Sequence, residues 1–272
     1  MPAAAALALV PGLEQGAPPA RLEQLLGGTV NSSWRVDTAQ GRFVLRVDGA
    51  AWRRPGVDRA RERHLHDAAA VAGLAPRVLR RDGVLGAQVS EFLDGRLWSA
   101  ADFTRAESLA CLGERLATLH ELPAPDGVAR FDPGGCARQY VQSLPSGHHG
   151  LRQAQALASA VGAAARCVAA DSRAEGIVHG DLVAANLIED RALWLLDWEY
   201  AQLADPIYDI ACLLAYYPAA RSHAGSLLAA AGLADAGEAA RLAAAIGVYE
   251  GLTALWWLAR GEQQPTGGQL AS

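Results

Sequence analysis

The most constraining feature of this 272-residue sequence is a set of polar residues placed on either side of a short apolar hairpin. Asp181 is followed five residues later by Asn186, and Asp197 stands sixteen residues after Asp181. The apolar runs Leu187-Ile188 and Leu193–Leu196 lie between Asn186 and Asp197 and predict two short strands joined by a polar turn. Such a hairpin would hold Asn186 and Asp197 close together and near Asp181.

Two carboxylates and one amide at this spacing suit phosphoryl transfer. One carboxylate can accept a hydroxyl proton, while an amide and a second carboxylate can hold Mg²⁺ on the phosphates of a nucleotide. The layout is typical of a kinase catalytic loop, and it predicts Asp181 as the catalytic base and Asn186 and Asp197 as metal ligands. We expect His179 to orient the loop. In the alternative, His179, Asp181 and Asp197 would bind a hydrolytic metal, but the additional His that such sites use is missing.

Composition limits the classes of protein that the chain can belong to. Hydrophobic residues make up 51% and charged residues 19%, which indicates a globular protein. The net charge of −5 argues against a nucleic-acid partner and is compatible with a small cationic substrate. Four scattered cysteines without a CxxC spacing indicate reduced thiols. No apolar run reads as a signal peptide or a membrane span, so we expect a cytoplasmic protein without a membrane partner. The oligomeric state is left open.

The order of the elements predicts an α+β fold with two lobes. A hairpin over 29–47, a helix from Asp58 to Ala72 that ends at Gly73, and two strands over 77–92 form a small β-rich N-terminal lobe, residues 1–93. A helix-like segment precedes the loop that begins at Gly27. Asp94-Gly95 is the predicted boundary, and residues 94–272 form a larger helical C-terminal lobe. Its predicted helices end near His120 or span the following ranges: 151–170, 207–217, 221–231 and 239–260.

Several residues of the first lobe are candidates for nucleotide binding. Gly28 and Asn31 lie in a loop of small residues through which backbone N–H groups could approach a phosphate, although a plain turn is an equal alternative. Arg46 takes the place of the strand cation that pairs with phosphates in kinases; all 24 basic residues are Arg, so no Lys is available for that task. Glu62 would be its ion-pair partner, or simply part of a solvated helix face. The extended segment that contains Glu91 and Leu93 could offer backbone groups to an adenine ring, or be an ordinary strand end.

The sequence resembles the aminoglycoside phosphotransferase / choline kinase family from about residue 25 to residue 260. The resemblance is strongest at His179-Gly180-Asp181 with Asn186, at Leu196-Asp197-Trp198-Glu199-Tyr200, and at Asp205-Pro206-Ile207-Tyr208-Asp209. It implies a protein-kinase-like fold, the use of ATP and Mg²⁺, and transfer of the γ-phosphate to an alcohol. It also implies that Asp209 is a buried carboxylate that braces the catalytic loop.

The form of the second motif is more similar to the choline, ethanolamine and thiamine kinase branch than to the antibiotic-resistance branch. By that resemblance Tyr200 and Trp256 are aromatic substrate residues, and Glu199 would stabilise a cation beside them. Thr253 stands where choline kinases have a second Trp, which leaves room for thiamine, ethanolamine or another amino-alcohol or sugar. The substrate is therefore expected to be a small, hydroxylated, cationic molecule. The alternatives are an aminoglycoside or amino-sugar O-phosphotransferase and a pseudokinase that binds nucleotide without turnover.

Overall fold

A computed structural model describes residues 2–25, 31–49, 55–170, 174–234 and 238–261 of the chain. Gly28, predicted to lie in the phosphate loop, falls outside the described residues. Within these ranges an antiparallel sheet comes first and a helical region follows, which confirms the predicted α+β class. The division into lobes at residues 93 and 94 remains our prediction.

The first part of the chain forms a five-stranded sheet with two helices. Its elements are α1 (Ala4–Leu7), β1 (Arg21–Leu25), β2 (Ser32–Thr38), β3 (Gly41–Val47), α2 (Arg59–Val71), β4 (Val78–Asp82) and β5 (Ala87–Glu91). The strands are ordered β1-β2-β3-β5-β4, and every neighbouring pair is antiparallel. Leu45 is fully buried in a small core on one face, and alternation along β3 therefore puts Arg46 on the other face, towards α2.

The start of the chain before Gly27 is predicted to be helix-like; α1 is a helix, but the end of this segment is not. Arg21–Leu25 is an edge strand that pairs with β2, from Arg21 opposite Asp37 to Leu25 opposite Ser33. Five residues are too few to show a helical period, and pairing with β2 satisfies backbone groups that a single helical turn would leave open.

Helix α2 begins and ends where the sequence predicts. Asp58 caps it by accepting hydrogen bonds from the backbone N–H groups of Ala60 (2.8 Å) and Arg61 (3.1 Å). Gly73 follows the helix in the left-handed region at φ +69°. The buried face of α2 includes Leu65 and also Glu62, which faces β3.

The rest of the described chain is mainly helical, with two small sheets at its junction with the first part. Its elements are β6 (Arg96–Leu97), α3 (Ala106–His120), α4 (Pro133–Ser143), α5 (Leu151–Ala170), β7 (Gly176–Val178), β8 (Leu187–Glu189), β9 (Leu193–Leu195), β10 (Gln202–Ala204), α6 (Ile207–Tyr216), α7 (Ala224–Ala230) and α8 (Glu238–Arg260). The predicted hairpin is β8–β9, which β6 extends, and β7 pairs with β10. A large hydrophobic core joins these helices and strands.

Two helical segments differ from the prediction. Helix α4 begins at Pro133, inside a stretch that reads as a Pro/Gly-rich connection. Pro is tolerated in a first helical turn, and Asp132 caps the helix by accepting from the N–H of Gly135 (2.8 Å). The helix predicted over 221–231 is divided into a 3₁₀ turn, Pro218–His223, and α7.

Helix α8 also departs from the expectation that no run is long and apolar enough to cross a bilayer. By length and composition it passes that test, with a mean hydropathy of 1.4 over its 18-residue window. A helix from the core of a globular protein passes the same test. Leu242, Ala245, Val248 and Leu255 of α8 are buried in the large core, and 28% of the 18-residue window is buried in all.

Candidate active site

The catalytic loop begins with a turn that only glycine accommodates. Strand β7 ends at Val178, and Gly180 then adopts φ +75°. A Cβ on Gly180 would lie 2.7 Å from the backbone oxygen of Tyr200, closer than such atoms approach in proteins. The tight turn brings the next residue, Asp181, to the wall of a cleft of about 990 Å³.

Helix α6 holds this turn in place through Asp209, which is fully buried. One carboxylate oxygen accepts from the N–H of Gly180 (2.9 Å), and the other accepts from the N–H of His179 (3.0 Å). The Nε2 atom of His120 in α3 also lies 3.0 Å from Asp209. The side chain thus braces the loop, in the way that the resemblance implies.

Asn186 lies against Asp181. Its side-chain amide donates to the backbone oxygen and to the carboxylate of Asp181, both at 2.9 Å, so its own side-chain oxygen is left for another partner. The N–H of Leu196, at the end of the hairpin, donates to the backbone oxygen of Asn186 (2.8 Å). Asp197 follows directly in the left-handed region at φ +56°, and it lines the same cleft as Asp181 and Asn186.

The donor atoms at this point of the cleft suit Mg²⁺ rather than a hydrolytic transition metal. Asp181, Asn186 and Asp197 offer only oxygen ligands, which Mg²⁺ prefers. His179 is fully buried, its Nε2 lies 2.8 Å from the backbone oxygen of Leu196, and burial lowers its pKa. Among the residues described, no group of three or more His, Cys, Asp and Glu side chains is arranged to hold a metal. The alternative with His179 as a metal ligand therefore lacks support, and its orienting role fits the contact.

The predicted ion pair between β3 and α2 is present. The guanidinium of Arg46 lies 2.7 Å from a carboxylate oxygen of Glu62 and 3.5 Å from one of Asp197. Burial alone would raise the pKa of Glu62, but Arg46 and Arg59 outweigh burial and lower it. Burial would likewise lower the pKa of Arg46, and Glu62 and Asp197 reverse this effect. Arg46 is therefore a fixed positive charge beside Asp197.

A second arginine, Arg59, joins the two parts of the chain, and the sequence reading missed it. Its guanidinium lies 2.7 Å from Asp48, 2.5 Å from Glu62 and 3.4 Å from Glu199, a residue beyond the β8–β9 hairpin. Asn31 accepts from Arg59 (3.2 Å) and donates to Glu199 (3.0 Å). The i, i+3 spacing of Arg59 and Glu62 on a predicted helix indicates the contact between these two residues, but not the other contacts of Arg59. The side chains of Asn31 and Glu199 thus belong to an ionic network across the cleft.

The structure brings most of the predicted site residues to one cleft. Those that line it are Asn31, Arg46, Glu91, Leu93, Asp181, Asn186, Asp197, Glu199, Tyr200 and Trp256. Glu62 is not among the described residues that line the cleft, but its carboxylate pairs with Arg46, which does line it. Glu91 also pairs with the exposed Arg77 (2.7 Å), and the guanidinium of Arg260 lies 4.7 Å from the ring centroid of Trp256.

A sheet-containing part and a helical part that meet at a cleft, with a braced Asp, an adjacent Asn and a second Asp in that cleft, define a phosphotransferase of the kinase-like fold. The profile of the phosphotransferase enzyme family (APH) matches residues 21–250. The chain belongs to that family, and the predicted family, fold and class of enzyme, a small-molecule kinase, are confirmed. A comparison with curated protein sequences gives no significant match.

Solved structures of the same fold include kinases from both branches of the resemblance. A choline/ethanolamine kinase family protein from Mesorhizobium loti is 28% identical, with a TM-score of 0.71 over 95% of this chain and 86% of that protein. The choline kinase LicA from Streptococcus pneumoniae is 19% identical, with a TM-score of 0.77 over 94% and 92% of the two chains. A thermostable mutant of the aminoglycoside phosphotransferase APH(4)-Ia is 18% identical, with a TM-score of 0.65 over 92% and 91%.

Proposed function

We propose that this protein is an ATP- and Mg²⁺-dependent kinase that phosphorylates a hydroxyl of a small cationic molecule, as choline and thiamine kinases do. The observation that carries the proposal is the meeting of three side chains in one cleft. Asp181 contacts Asn186 at 2.9 Å, and Asp197 lines the same cleft 3.5 Å from Arg46. Phosphoryl transfer requires mainly placement and electrostatic stabilisation, and this arrangement can supply both.

Each side chain has a distinct role in this proposal. Asp181 orients the acceptor hydroxyl and receives its proton. Asn186 and Asp197 hold Mg²⁺, which when bound neutralises charge on the nucleotide phosphates. Arg46 contributes positive charge from the other side of the cleft, and Glu62 keeps its guanidinium in position.

ATP is the phosphate donor that the cleft and the relatives favour. The structures with this fold include LicA in complex with AMP and a spectinomycin phosphotransferase in complex with ADP and its antibiotic. We assign the loop of Gly28 and Asn31 to the phosphates through its backbone, because the Asn31 side chain is held by Arg59 and Glu199. Glu91, the last residue of β5, and Leu93 both line the cleft and are assigned to the adenine ring.

The acceptor end of the cleft favours a small cation over an aminoglycoside. Tyr200 and Trp256 line the cleft there and Asp181 supplies negative charge, while Glu199 is paired with Arg59 and Asn31. An aminoglycoside carries several positive charges and calls for several acidic partners. Glu250 of α8 is exposed and pairs with Arg221 (3.0 Å), so it does not serve the cleft. An aminoglycoside or amino-sugar acceptor remains the alternative within the same reaction class.

A coupled assay of ADP release tests this function with purified protein and Mg²⁺-ATP. The acceptors are choline, ethanolamine, thiamine, amino sugars and aminoglycosides. We expect turnover with at least one small amino-alcohol, and a fall of about 10²- to 10⁴-fold in Asp181→Asn because the proton acceptor is lost. Asp190→Asn is the matched control, since Asp190 is an exposed carboxylate in the turn of the β8–β9 hairpin. Mg²⁺-ATP binding without transfer to any acceptor would instead favour a pseudokinase.

A further inference from the structure

Two buried polar side chains in the cleft have no part in the proposed transfer of phosphate. Gln202 of β10 and Tyr249 of α8 line the cleft and are only 8% and 7% exposed. Within the described ranges neither side chain has a protein hydrogen-bond partner, and the polar atoms that are sealed from water without a partner belong to other residues, so the polar atoms of Gln202 and Tyr249 are open to the water of the cleft. A glutamine amide offers two donors and an acceptor, and a phenol offers one donor and an acceptor.

Polar groups of this kind form hydrogen bonds with water while no molecule is bound in the cleft. A molecule that displaces this water must replace those hydrogen bonds or lose affinity. Asn31, Asn186 and Glu199 of the same cleft have protein partners, whereas the Nε1 atom of Trp257 has none among the described residues. Gln202 and Tyr249 therefore offer neutral hydrogen-bonding groups in the cleft that no described side chain occupies and that a bound molecule can use.

Both side chains lie beside the base of the catalytic loop. Gln202 is paired with Val178, the last residue of β7 before the loop. The Tyr249 hydroxyl lies 3.5 Å from the position that a Cβ on Gly180 would take, and the backbone oxygen of Tyr200 lies 2.7 Å from the same position. They are thus close to Tyr200, a proposed acceptor residue, and to the residue that precedes Asp181.

We propose that Gln202 and Tyr249 form a hydrogen-bonding subsite for the acceptor, an inference that rests on the proposed kinase function. The acceptor then carries, besides the hydroxyl that is phosphorylated, a second uncharged hydrogen-bonding group. A further hydroxyl, an amide or a heteroaromatic nitrogen with an amino substituent has this chemistry. Both side chains are neutral, and burial raises the pKa of Tyr249 well above its usual value, so the phenol keeps its proton.

The subsite separates acceptors that otherwise share a positive charge and a hydroxyl. Choline has one hydroxyl and a quaternary nitrogen without N–H groups, so it would leave both side chains unpaired. The aminopyrimidine of thiamine and the additional hydroxyls of glucosamine can pair with them. A site built around hydrogen bonds rejects analogues that lack the matching group more strongly than an apolar site rejects a small change in size.

The test compares kcat/KM for thiamine, glucosamine and choline in the wild-type protein and in Gln202→Leu and Tyr249→Phe. We expect the better of the two polar acceptors to exceed choline at least tenfold in the wild type. Each substitution should reduce that ratio at least tenfold through the polar acceptor, while the KM for ATP stays within about threefold. Tyr208→Phe is the matched control, because Tyr208 is equally buried but is not among the described residues that line the cleft.

Gln202→Glu adds a charge to the same position and distinguishes a neutral subsite from a cation site. We expect it to weaken the polar acceptor, since a carboxylate cannot donate. A gain in choline turnover in this variant would show that the position recognises positive charge and would overturn the inference.

The other outcomes are equally decisive. Choline turnover that matches both polar acceptors, an unchanged ratio in both Gln202→Leu and Tyr249→Phe, or no turnover of either polar acceptor would each overturn the subsite. If the protein fails to bind Mg²⁺-ATP, the proposed function itself fails. Asp181-dependent transfer to choline alone would retain the kinase and exclude the subsite.

Discussion

Replacement of Asp209 by Asn should damage the catalytic loop without removing any group that touches substrate. The buried carboxylate accepts from the N–H groups of His179 and Gly180 and contacts His120. Asn keeps the shape of the side chain but turns one acceptor into a donor, which then faces an N–H group. The loop turn can no longer be held from both sides, and Asp181 follows directly after it.

The expected loss of stability follows from these contacts. A hydrogen bond to a charged group contributes about 1.5–3 kcal/mol, and an unsatisfied buried donor costs about 1–3 kcal/mol. Asp209→Asn keeps one backbone contact, so we expect a loss of about 2–3 kcal/mol in the free energy of unfolding. Asp209→Ala leaves both N–H groups without an acceptor and should lose roughly twice as much. The free energy of unfolding of a folded domain is about 5–15 kcal/mol in total. Asp209→Asn should therefore stay folded, and it is the variant suited to kinetic measurements.

The measurement combines urea unfolding with steady-state kinetics. Asp209→Asn should reduce kcat by about 10- to 100-fold with a KM for ATP within about threefold, because the substitution leaves the residues that we assign to the nucleotide unchanged. Asp102→Asn is the control: Asp102 is equally buried, and Arg96 lowers its pKa to about 2, but among the described residues it is not part of the cleft lining. It should lose stability with an unchanged kcat. If Asp209→Asn has the kcat of Asp102→Asn, α6 does not position the loop.

Three further predictions concern the ion pairs of Arg46, the turn at Gly180 and two buried histidines. Arg46→Lys should raise the KM for ATP about tenfold, because one ammonium group cannot contact both Glu62 and Asp197 as the guanidinium does. Arg63 is an exposed arginine of helix α2, and Arg63→Lys should leave the KM for ATP unchanged. Gly180→Ala should destabilise the protein by about 2 kcal/mol or more and reduce turnover, because the added Cβ would contact the backbone oxygen of Tyr200. Gly73→Ala is the control, since Gly73 has a similar φ but open space around it, and this variant should lose only about 1–2 kcal/mol. Equal losses in the two variants would exclude the steric explanation. Burial lowers the pKa values of His66 and His179 below 6.5, so the unfolded chain binds protons before the folded protein does as the pH falls. The free energy of unfolding should therefore be constant above pH 6.5 and decrease below it by about 1.4 kcal/mol per pH unit for each histidine. A flat profile in urea unfolding between pH 5.5 and 8 would contradict this.

The sequence predicts the parts of this fold that carry local signals. Asp58 and Gly73 mark both ends of α2, alternating apolar residues reveal the β2–β3 hairpin, and two short apolar runs reveal the β8–β9 hairpin. The sequence reading missed β7 and β10, strands of three residues that exist because they pair with each other across 24 residues of chain or more. Such segments are too short for a period, and tertiary pairing decides their conformation.

The residues of the candidate site also differ in how far they can be predicted from local sequence. Asp181, Asn186 and Asp197 stand close enough in sequence for their convergence to be read from spacing, and the structure puts Asp181 and Asn186 in contact. The role of Arg59 depends on Glu199, which is 140 residues away, and no local pattern reports such a pair. Gln202 and Tyr249 were missed because their common position in the wall of the cleft exists only in three dimensions.

The measurement that tests the central claim most directly is the Mg²⁺ dependence of phosphate transfer in Asp197→Ala. In the wild type, transfer from ATP to the best acceptor should rise with Mg²⁺ and saturate, and Asp190→Ala should behave in the same way. In Asp197→Ala, transfer should be lost at every Mg²⁺ concentration while the fold, followed by circular dichroism, is retained. Turnover by Asp197→Ala at the wild-type rate would show that this carboxylate does not hold the metal, and it would contradict the proposed role of the cleft in phosphoryl transfer.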